Sequence, residues 1–164
     1  MQAIVTGARR PQTDHWWGLE KVKSALAVAQ RFFASYRAHD LTEMLACFAP
    51  EGRINYVPIA LEGLAEEAGR SIWSTLIEVF PDLSNEVTVT YPCADGRTVI
   101  LEVTISGTQS RDAFGIRNKG RQFHLPHVFI VRIDDHQRIS QMTAYWDNAA
   151  WFSALGRTSL VETP

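Results

Sequence analysis

Three side chains in this sequence combine a group suited to proton transfer with a strand-like setting. His127 lies in "RQFHLPHVFIVRI", Tyr56 in "RINYVPI" and Asp147 in "MTAYWDNAAW". A half-desolvated imidazole can serve as a general base or as a hydrogen-bond donor to a developing oxyanion. A phenol can donate to a ligand carbonyl, and a desolvated carboxylate can exchange protons near neutral pH. These three residues are therefore the candidate catalytic groups.

His127 alternates along its strand with Phe123, Leu125 and Phe129. Because successive side chains of a strand point to opposite faces, the imidazole shares the apolar face of these residues, which we expect the helices to cover. A core histidine satisfied by a neighbouring hydroxyl or backbone group fits the same pattern equally well. His124 falls on the opposite face, at an interface or in solvent.

Asp147 directly precedes "NAAWFSALG", a short helical pattern. Aspartate is among the best N-cap residues because its oxygen accepts an orphan backbone N–H of the first turn. The pattern favours capping, and a catalytic role requires a bulge near the strand end that turns the side chain inward. The alternative to a catalytic role for Tyr56 is a buried aromatic residue with its hydroxyl at the rim of a pocket.

Helical elements occupy the first half of the chain. Apolar residues at steps of three and four predict a long helix from Gly18 to about Ala38. Asp40 followed three residues later by Glu43 forms a capping box, which predicts a short second helix. A third helical pattern runs from about Glu62 to Val79 and stops at Pro81, which cannot donate the next backbone hydrogen bond. These helices are the elements available to cover a sheet.

After Pro81 the hydrophobic period changes from 3.6 to 2. The β-branched, alternating stretches predict an antiparallel meander, with one further strand between the helices, and they are "NEVTVTY", "RTVILEVTISGT", "RQFHLPHVFIVRI", "RISQMTAYW" and the earlier "RINYVPI". Helices first and strands last indicate an α+β domain whose curved sheet is covered on one face. The hollow between sheet and helices is a natural place for a small apolar ligand.

Composition excludes several classes of function. The 164-residue chain has 46% hydrophobic and 21% charged residues, a formal net charge of -2 and a pI near 6.2, which predicts no nucleic-acid or membrane partner. Cys47 and Cys93 lie outside any CxxC pattern or histidine spacing that would bind zinc, so no metal site is predicted. Without a signal-peptide pattern or an apolar run of membrane-spanning length, we expect a soluble, cytoplasmic protein with reduced cysteines.

The sequence from "FPDL" through "SGTQSRDAFGIRNKGR" to "WFSALG" resembles the SnoaL-like polyketide cyclases of the nuclear-transport-factor-2-like superfamily. The resemblance covers residues 20–157, leaving an N-terminal extension (1–19) and a C-terminal tail (158–164). It implies a cone-shaped α+β fold with three N-terminal helices on a curved antiparallel sheet and a short C-terminal helix. It also implies a homodimer with a closed apolar pocket and no cofactor, acting by ester-cyclase-like aldol chemistry, while relatives isomerise steroids or hydrolyse epoxides.

The chain departs from this family at its expected acid/base residue. The His-Trp-Asp run of the family's last strand falls on Met142, Thr143 and Ala144, and a second family Asp falls on Asp147. If Ala144 faces the pocket, alternation turns Met142 and Trp146 inward with it. The usual carboxylate is therefore replaced by Ala144.

Other aligned positions complete the predicted pocket. The Arg-x-Asp pair of the epoxide hydrolases meets Val103 and Ile105, and the steroid-isomerase base would fall in "NYVP", which has no acid. The predicted substrate-contacting residues are Trp73, Val103, Ile105, Leu125, Phe129, Met142, Ala144 and Trp146. Glu102 lies on the opposite face, which we expect to be a dimer surface, and His15-Trp16-Trp17 is expected to dock on the domain or a partner protomer.

Two hypotheses of function follow and both stay open at this level. The first is a cofactor-independent cyclase or isomerase, or an enzyme with related lyase-type chemistry, acting on a polyketide-like or other apolar oxygenated metabolite. His127 and Tyr56 would then act in place of the missing carboxylate. The second is a non-catalytic module of the same fold that binds a small ligand and has lost its base at Ala144.

Overall fold

A computed structural model describes residues 14–157, with side chains described from residue 19 onward. The helices are α1 (Asp14–Arg37), α2 (Leu41–Ala46), α3 (Arg70–Val79) and α4 (Asn148–Ala154). The strands are β1 (Phe48–Tyr56), β2 (Leu61–Leu64), β3 (Ser84–Pro92), β4 (Thr98–Thr108), β5 (Gln122–Ile133) and β6 (Ile139–Trp146). A 3-10 turn (Val57–Ile59) joins β1 to β2, and a π-helical turn (Ala65–Gly69) leads into α3. The predicted α+β class, with three helices before the meander and a short one after it, is confirmed.

The six strands form one sheet in the order β2-β1-β6-β5-β4-β3. Neighbouring strands from β3 to β6 pair antiparallel, as predicted, whereas β1 runs parallel to β6. The sheet is therefore mixed rather than wholly antiparallel. The direction of β1 is set by the helical crossover that separates it from the meander, and no short turn imposes an antiparallel pairing on it.

The first helix begins earlier than the apolar pattern indicates, at Asp14 rather than Gly18. Part of the predicted extension is therefore helical backbone, and the side chains of His15-Trp16-Trp17 lie outside the described residues. The capping box is confirmed, because the Asp40 carboxylate accepts the backbone N–H of Glu43 at 3.0 Å. The third helix begins later than Glu62, because residues 61–64 pair with β1 as strand β2.

Among residues 14–157, no helix is both long and apolar enough to cross a membrane. In the same part of the chain, His, Cys, Asp and Glu side chains nowhere gather in the groups of three that a metal ion requires.

The core lies between the inner face of the sheet and the helices. Helix α1 buries a stripe that includes Ala29, Phe32, Phe33 and Tyr36, at the spacing that the sequence predicts. The ring of Phe33 meets Phe129 of β5 edge-on, with centroids 5.0 Å apart. This contact fixes α1 across the middle of the sheet. A cavity remains between the sheet and the helices beyond this contact.

Candidate active site

A cavity of about 310 Å³ lies between the sheet, helices α1, α3 and α4, and the loop that follows β4. Its volume is at the lower end of the range for small-molecule sites. The residues around it are Tyr36, Tyr56, Ile59, Leu61, Ile72, Leu76, Leu83, Ile105, Phe114, Phe123, Leu125, His127, Phe129, Trp146, Trp151 and Phe152. The structure thus brings together His127, Tyr56, Ile105, Leu125, Phe129 and Trp146 from the residues that the sequence indicated.

His127 has a defined orientation within this wall. Its Nδ1 lies 2.9 Å from the backbone carbonyl oxygen of Leu125. Its ring stacks on Phe129 (centroids 5.9 Å apart) and packs against Trp146 (5.2 Å), its neighbour across the strand pair. Because a carbonyl oxygen can only accept, Nδ1 carries the proton and Nε2 carries the lone pair in the neutral ring.

The surroundings of His127 keep it uncharged. Burial lowers the pKa of the imidazole from 6.5 to about 4, against a smaller opposing contribution from the Leu125 carbonyl. Within residues 14–157 no protein group bonds to Nε2. At neutral pH this nitrogen can accept a proton but has none to give. The geometry therefore favours a general base over an oxyanion donor.

Tyr56 is buried at the end of β1, with its hydroxyl fixed from behind. The indole Nε1 of Trp73 donates to the phenol oxygen at 2.7 Å. Burial raises the pKa of Tyr56, so the phenol keeps its proton. Since the oxygen already accepts from Trp73, the hydroxyl proton is free to point at a ligand. Trp73 itself is fully buried and lies behind the cavity wall as a positioning residue.

Tyr36 of α1 contributes a second hydroxyl to the cavity. It is only 3% exposed, and its hydroxyl has no hydrogen-bond partner among residues 14–157. Burial, and to a lesser extent the nearby Tyr56, raises the pKa of Tyr36 well above its usual value. In the sequence, Tyr36 shares the apolar face of the first helix with Ala29, Phe32 and Phe33. Its phenol, on a helix face that is otherwise apolar, was the feature of the sequence that could have identified it as a site residue.

Ala144 faces inward, as alternation predicts, but lies beneath the cavity wall. In the sheet it is paired with Tyr56 on one side and Phe129 on the other. The rings of these two neighbours approach over it, with centroids 6.4 Å apart. The short methyl side chain is what leaves room for that contact. Val103 and Met142 are buried in the same layer of core, beside the cavity rather than on its wall.

Asp147 caps α4. Its carboxylate accepts the backbone N–H of Ala150 at 2.9 Å, and the side chain is exposed on the outside of the domain. The capping interpretation is confirmed. Asp147 is not among the residues that the structure places around the cavity.

Substituting Asp147→Ala should lower the free energy of unfolding by about 1 kcal/mol, because the first turn of α4 loses an acceptor. Asp147→Asn is the matched control, since asparagine caps nearly as well without the charge. Urea denaturation of both variants measures the effect. A loss of ligand binding or turnover in Asp147→Asn at unchanged stability would contradict a purely capping role.

The cavity carries no formal charge at neutral pH among the residues that surround it. Its polar groups are the hydroxyls of Tyr36 and Tyr56, Nε2 of His127 and two indoles. The Trp146 indole donates to the side-chain oxygen of Asn148 at 3.2 Å. A charged ligand would lose its hydration without gaining a counter-charge here. The site therefore suits a neutral, largely apolar molecule with a few oxygen atoms.

Structure comparison places the chain among α+β proteins of the same architecture. It superposes on a candidate polyketide cyclase from Xanthomonas campestris pv. campestris (TM-score 0.74, 16% identity, 83% of this chain and 99% of that one). It also superposes on AclR from Streptomyces galilaeus, described as a candidate hydroxylase, with a TM-score of 0.73 and 18% identity over 86% of this chain and 90% of that one. A protein of ketosteroid-isomerase-like fold from Catenulispora acidiphila superposes with a TM-score of 0.66 and 15% identity, over 79% of this chain and 92% of that one.

Together with the helix-covered curved sheet and the cavity between them, these superpositions define a nuclear-transport-factor-2-like fold. At such low identity they establish the fold and no activity. Comparison with curated proteins returns no match. The model of the SnoaL-like domain matches residues 29–142, and the chain belongs to that family of polyketide-cyclase-like proteins.

Proposed function

We propose that this protein is a cofactor-independent cyclase or isomerase acting on a neutral, polyketide-like or otherwise apolar oxygenated metabolite. His127 is the general base and Tyr56 the hydrogen-bond donor to the substrate carbonyl. The observation that carries the proposal is the fixed tautomer of His127, which places an unprotonated Nε2 in the wall of the same apolar cavity as the free hydroxyl proton of Tyr56.

The lowered pKa gives His127 the base strength of a carboxylate. With a pKa of about 4, its conjugate acid matches an ordinary aspartic or glutamic acid, for which values of about 3.9 and 4.3 are usual. The family's Asp position holds Ala144, so a neutral base replaces a charged one. Because the ring is neutral, it can stay in an apolar cavity without a counter-ion.

The reaction can be balanced with groups of this cavity alone. Nε2 takes a proton from the carbon next to the substrate carbonyl, which leaves an imidazolium and an enolate. Tyr56 donates to the enolate oxygen, and the Trp73 N–H supports the phenol oxygen as its electron density rises. The enolate carbon then attacks a second carbonyl of the same molecule, or is reprotonated elsewhere. His127 returns its proton in either case.

Proton exchange on a simple ketone tests this function without the natural substrate. The probe is 2-tetralone in D2O, whose activated C–H groups report deuterium uptake by NMR. If the protein is an enzyme, deuterium exchange should be faster than in buffer alone. The competing proposal is a non-catalytic binding module, motivated by Ala144. In that case the probe should bind, but its exchange should not be accelerated. Absence of both binding and exchange would argue against either use of the cavity.

A homodimer through the outer face of the sheet is also part of the proposal. This face exposes Val89, Tyr91, Val128 and Tyr145, each 38–47% accessible, around Glu102. Register places Val89, Glu102, Val128 and Tyr145 in one row across four strands. Glu102 accepts the Tyr91 hydroxyl at 3.1 Å, so its charge is partly satisfied within the chain. A mostly apolar row can pair with a second copy of itself about a twofold axis.

Native mass spectrometry should therefore show a dimer, and Val128→Glu should convert it to a folded monomer by placing a second carboxylate directly opposite Glu102 in the row. Lys23→Glu, on the exposed side of α1, is a control for a change of surface charge and should remain dimeric. A dimer that survives Val128→Glu unchanged would exclude this face.

A further inference from the structure

The indole of Trp151 in α4 lies on the cavity wall without a role in the chemistry above. Trp151 is 7% exposed, and its Nε1 has no hydrogen-bond partner within residues 14–157. Folded proteins rarely leave a buried N–H without an acceptor, because the group has given up its hydrogen bonds to water. The other two cavity-side indoles, Trp73 and Trp146, have acceptors within the chain. Trp151 is the exception among them.

The ring contacts of Trp151 are all with phenylalanine side chains, which offer no acceptor. Four phenylalanine rings enclose the indole: Phe114 at a centroid distance of 5.1 Å, Phe152 at 5.4 Å, Phe123 at 6.0 Å and Phe80 at 6.3 Å. Phe114 and Phe152 are only partly buried, and both also border the cavity. Because Trp151 lies on the cavity wall, a molecule that occupies the cavity can supply the acceptor that Nε1 lacks.

Phe114 is held in an uncommon backbone conformation at the same end of the cavity. Its φ is +54°, in the left-handed region that bulky side chains seldom adopt. The loop that carries it is closed by Gln109, whose side-chain amide donates to the carbonyls of Arg111 and Ile116 at 3.0 and 3.2 Å. Strained residues of this kind gather where a structure holds a group ready to move. The unpartnered donor and its strained apolar neighbour are independent features of one corner.

This corner lies far from the proposed base. Phe123, which contacts the indole, precedes His127 by four residues in β5, a separation of about 13 Å along a strand. We propose that Trp151 forms a second ligand-binding subsite, in which its N–H donates to a neutral oxygen of the ligand once Phe114 moves aside. The inference rests on the proposed function and narrows its substrate class. The ligand is an elongated, uncharged molecule with a carbonyl or ether oxygen at each end.

Two isosteric probes test the subsite. 2,6-Diacetylnaphthalene carries a carbonyl at both ends, and 2-acetyl-6-isopropenylnaphthalene replaces one oxygen by a methylene group. The ratio of their dissociation constants, measured by equilibrium dialysis, should favour the diketone about 3- to 10-fold more in the wild type than in Trp151→Phe. Comparing ratios cancels the difference in hydration between the probes, and phenylalanine keeps an aromatic ring in place.

A second readout does not depend on the variant. In 15N-labelled wild-type protein, the diketone should move the Trp151 indole N–H resonance downfield and the isopropenyl compound should not. The Trp73 and Trp146 indoles already donate to Tyr56 and Asn148, so their resonances should move by similar amounts with both probes and serve as the comparison.

The outcomes separate this inference from the function on which it rests. Equal ratios in wild type and Trp151→Phe, with an unmoved indole resonance, would overturn the subsite while leaving ketone binding intact. Failure of both probes to bind at all would overturn the subsite and the ketone-binding cavity together. Exchange of 2-tetralone, which has one carbonyl, needs no second oxygen at Trp151 and continues to report on His127 and Tyr56.

Discussion

Replacing His127 by glutamine should reduce the enzyme-dependent deuterium exchange of 2-tetralone by roughly 100- to 10,000-fold, the usual range for loss of a general base. Glutamine retains a polar side chain of similar length but offers no basic nitrogen. The amide of glutamine takes the position of Nε2 rather than of Nδ1, so the hydrogen bond to the Leu125 carbonyl is lost. The strand should still keep its conformation, because position 127 is paired with Val103 and Trp146 on the neighbouring strands. Binding of the probe, measured separately, should change far less than the rate.

The pH profile distinguishes this base from an ordinary histidine. Because burial lowers the pKa to about 4, the wild-type rate should be constant from neutral pH to about pH 5 and fall as the pH passes through 4. An inflection near 6.5 would mean that the imidazole is not desolvated, and an unchanged rate in His127→Gln would remove it from the mechanism.

Folding stability provides an independent check on the same shift. The folded pKa of His127 lies below the unfolded value of 6.5, so the unfolded chain binds the proton first as the pH falls. The stability that comes from keeping His127 neutral is fully present above pH 6.5. It is lost as the pH falls from 6.5 to about 4. In His127→Gln this part of the pH dependence should disappear. His124→Gln, on the exposed outer face of β5, is the matched control and should alter neither profile.

Local periodicity accounts for the parts of the site that the sequence could predict. A strand of period 2 fixes which residues share a face, so Leu125, His127 and Phe129 were placed together correctly. The Asp147 cap follows from residue type and position immediately before a helical pattern, and both are visible over five residues of sequence. Neither conclusion needs knowledge of what lies across the domain.

The remaining features depend on contacts between distant segments. Whether an inward residue reaches the cavity depends on the side chains that cover it, which is why Ala144 lies beneath Tyr56 and Phe129 although its orientation was predicted. Tyr36 enters the site only because α1 crosses the sheet at that point. Phe114 belongs to a loop without periodicity, so no pattern places it near Trp151. The family resemblance supplied the fold, but these packing relations belong to this chain.

Tyr56→Phe should lower the exchange rate by roughly 100- to 1,000-fold, comparable with the loss of one oxyanion donor. The aromatic ring, and with it the contacts to Phe129 and Trp146, is retained. Because the hydroxyl acts most strongly on the enolate, kcat should fall more than probe affinity. A parallel measurement of kcat and KM for exchange gives this division. A raised KM with an unchanged kcat would indicate a contact made equally in the ground state and the transition state.

The single variant also disturbs stability, and a second substitution separates the two effects. Without the phenol oxygen, the buried Trp73 N–H loses its acceptor, at a cost of about 1–3 kcal/mol in unfolding free energy. Adding Trp73→Phe removes the orphaned donor but leaves a cavity beside Phe32 and Phe48. The double variant should therefore lose less stability than the sum of the losses in the two single variants. It should not recover exchange, because the proton that Tyr56 supplies to the substrate is still missing. Exchange at the wild-type rate in the double variant would show that the tyrosine only maintains the fold.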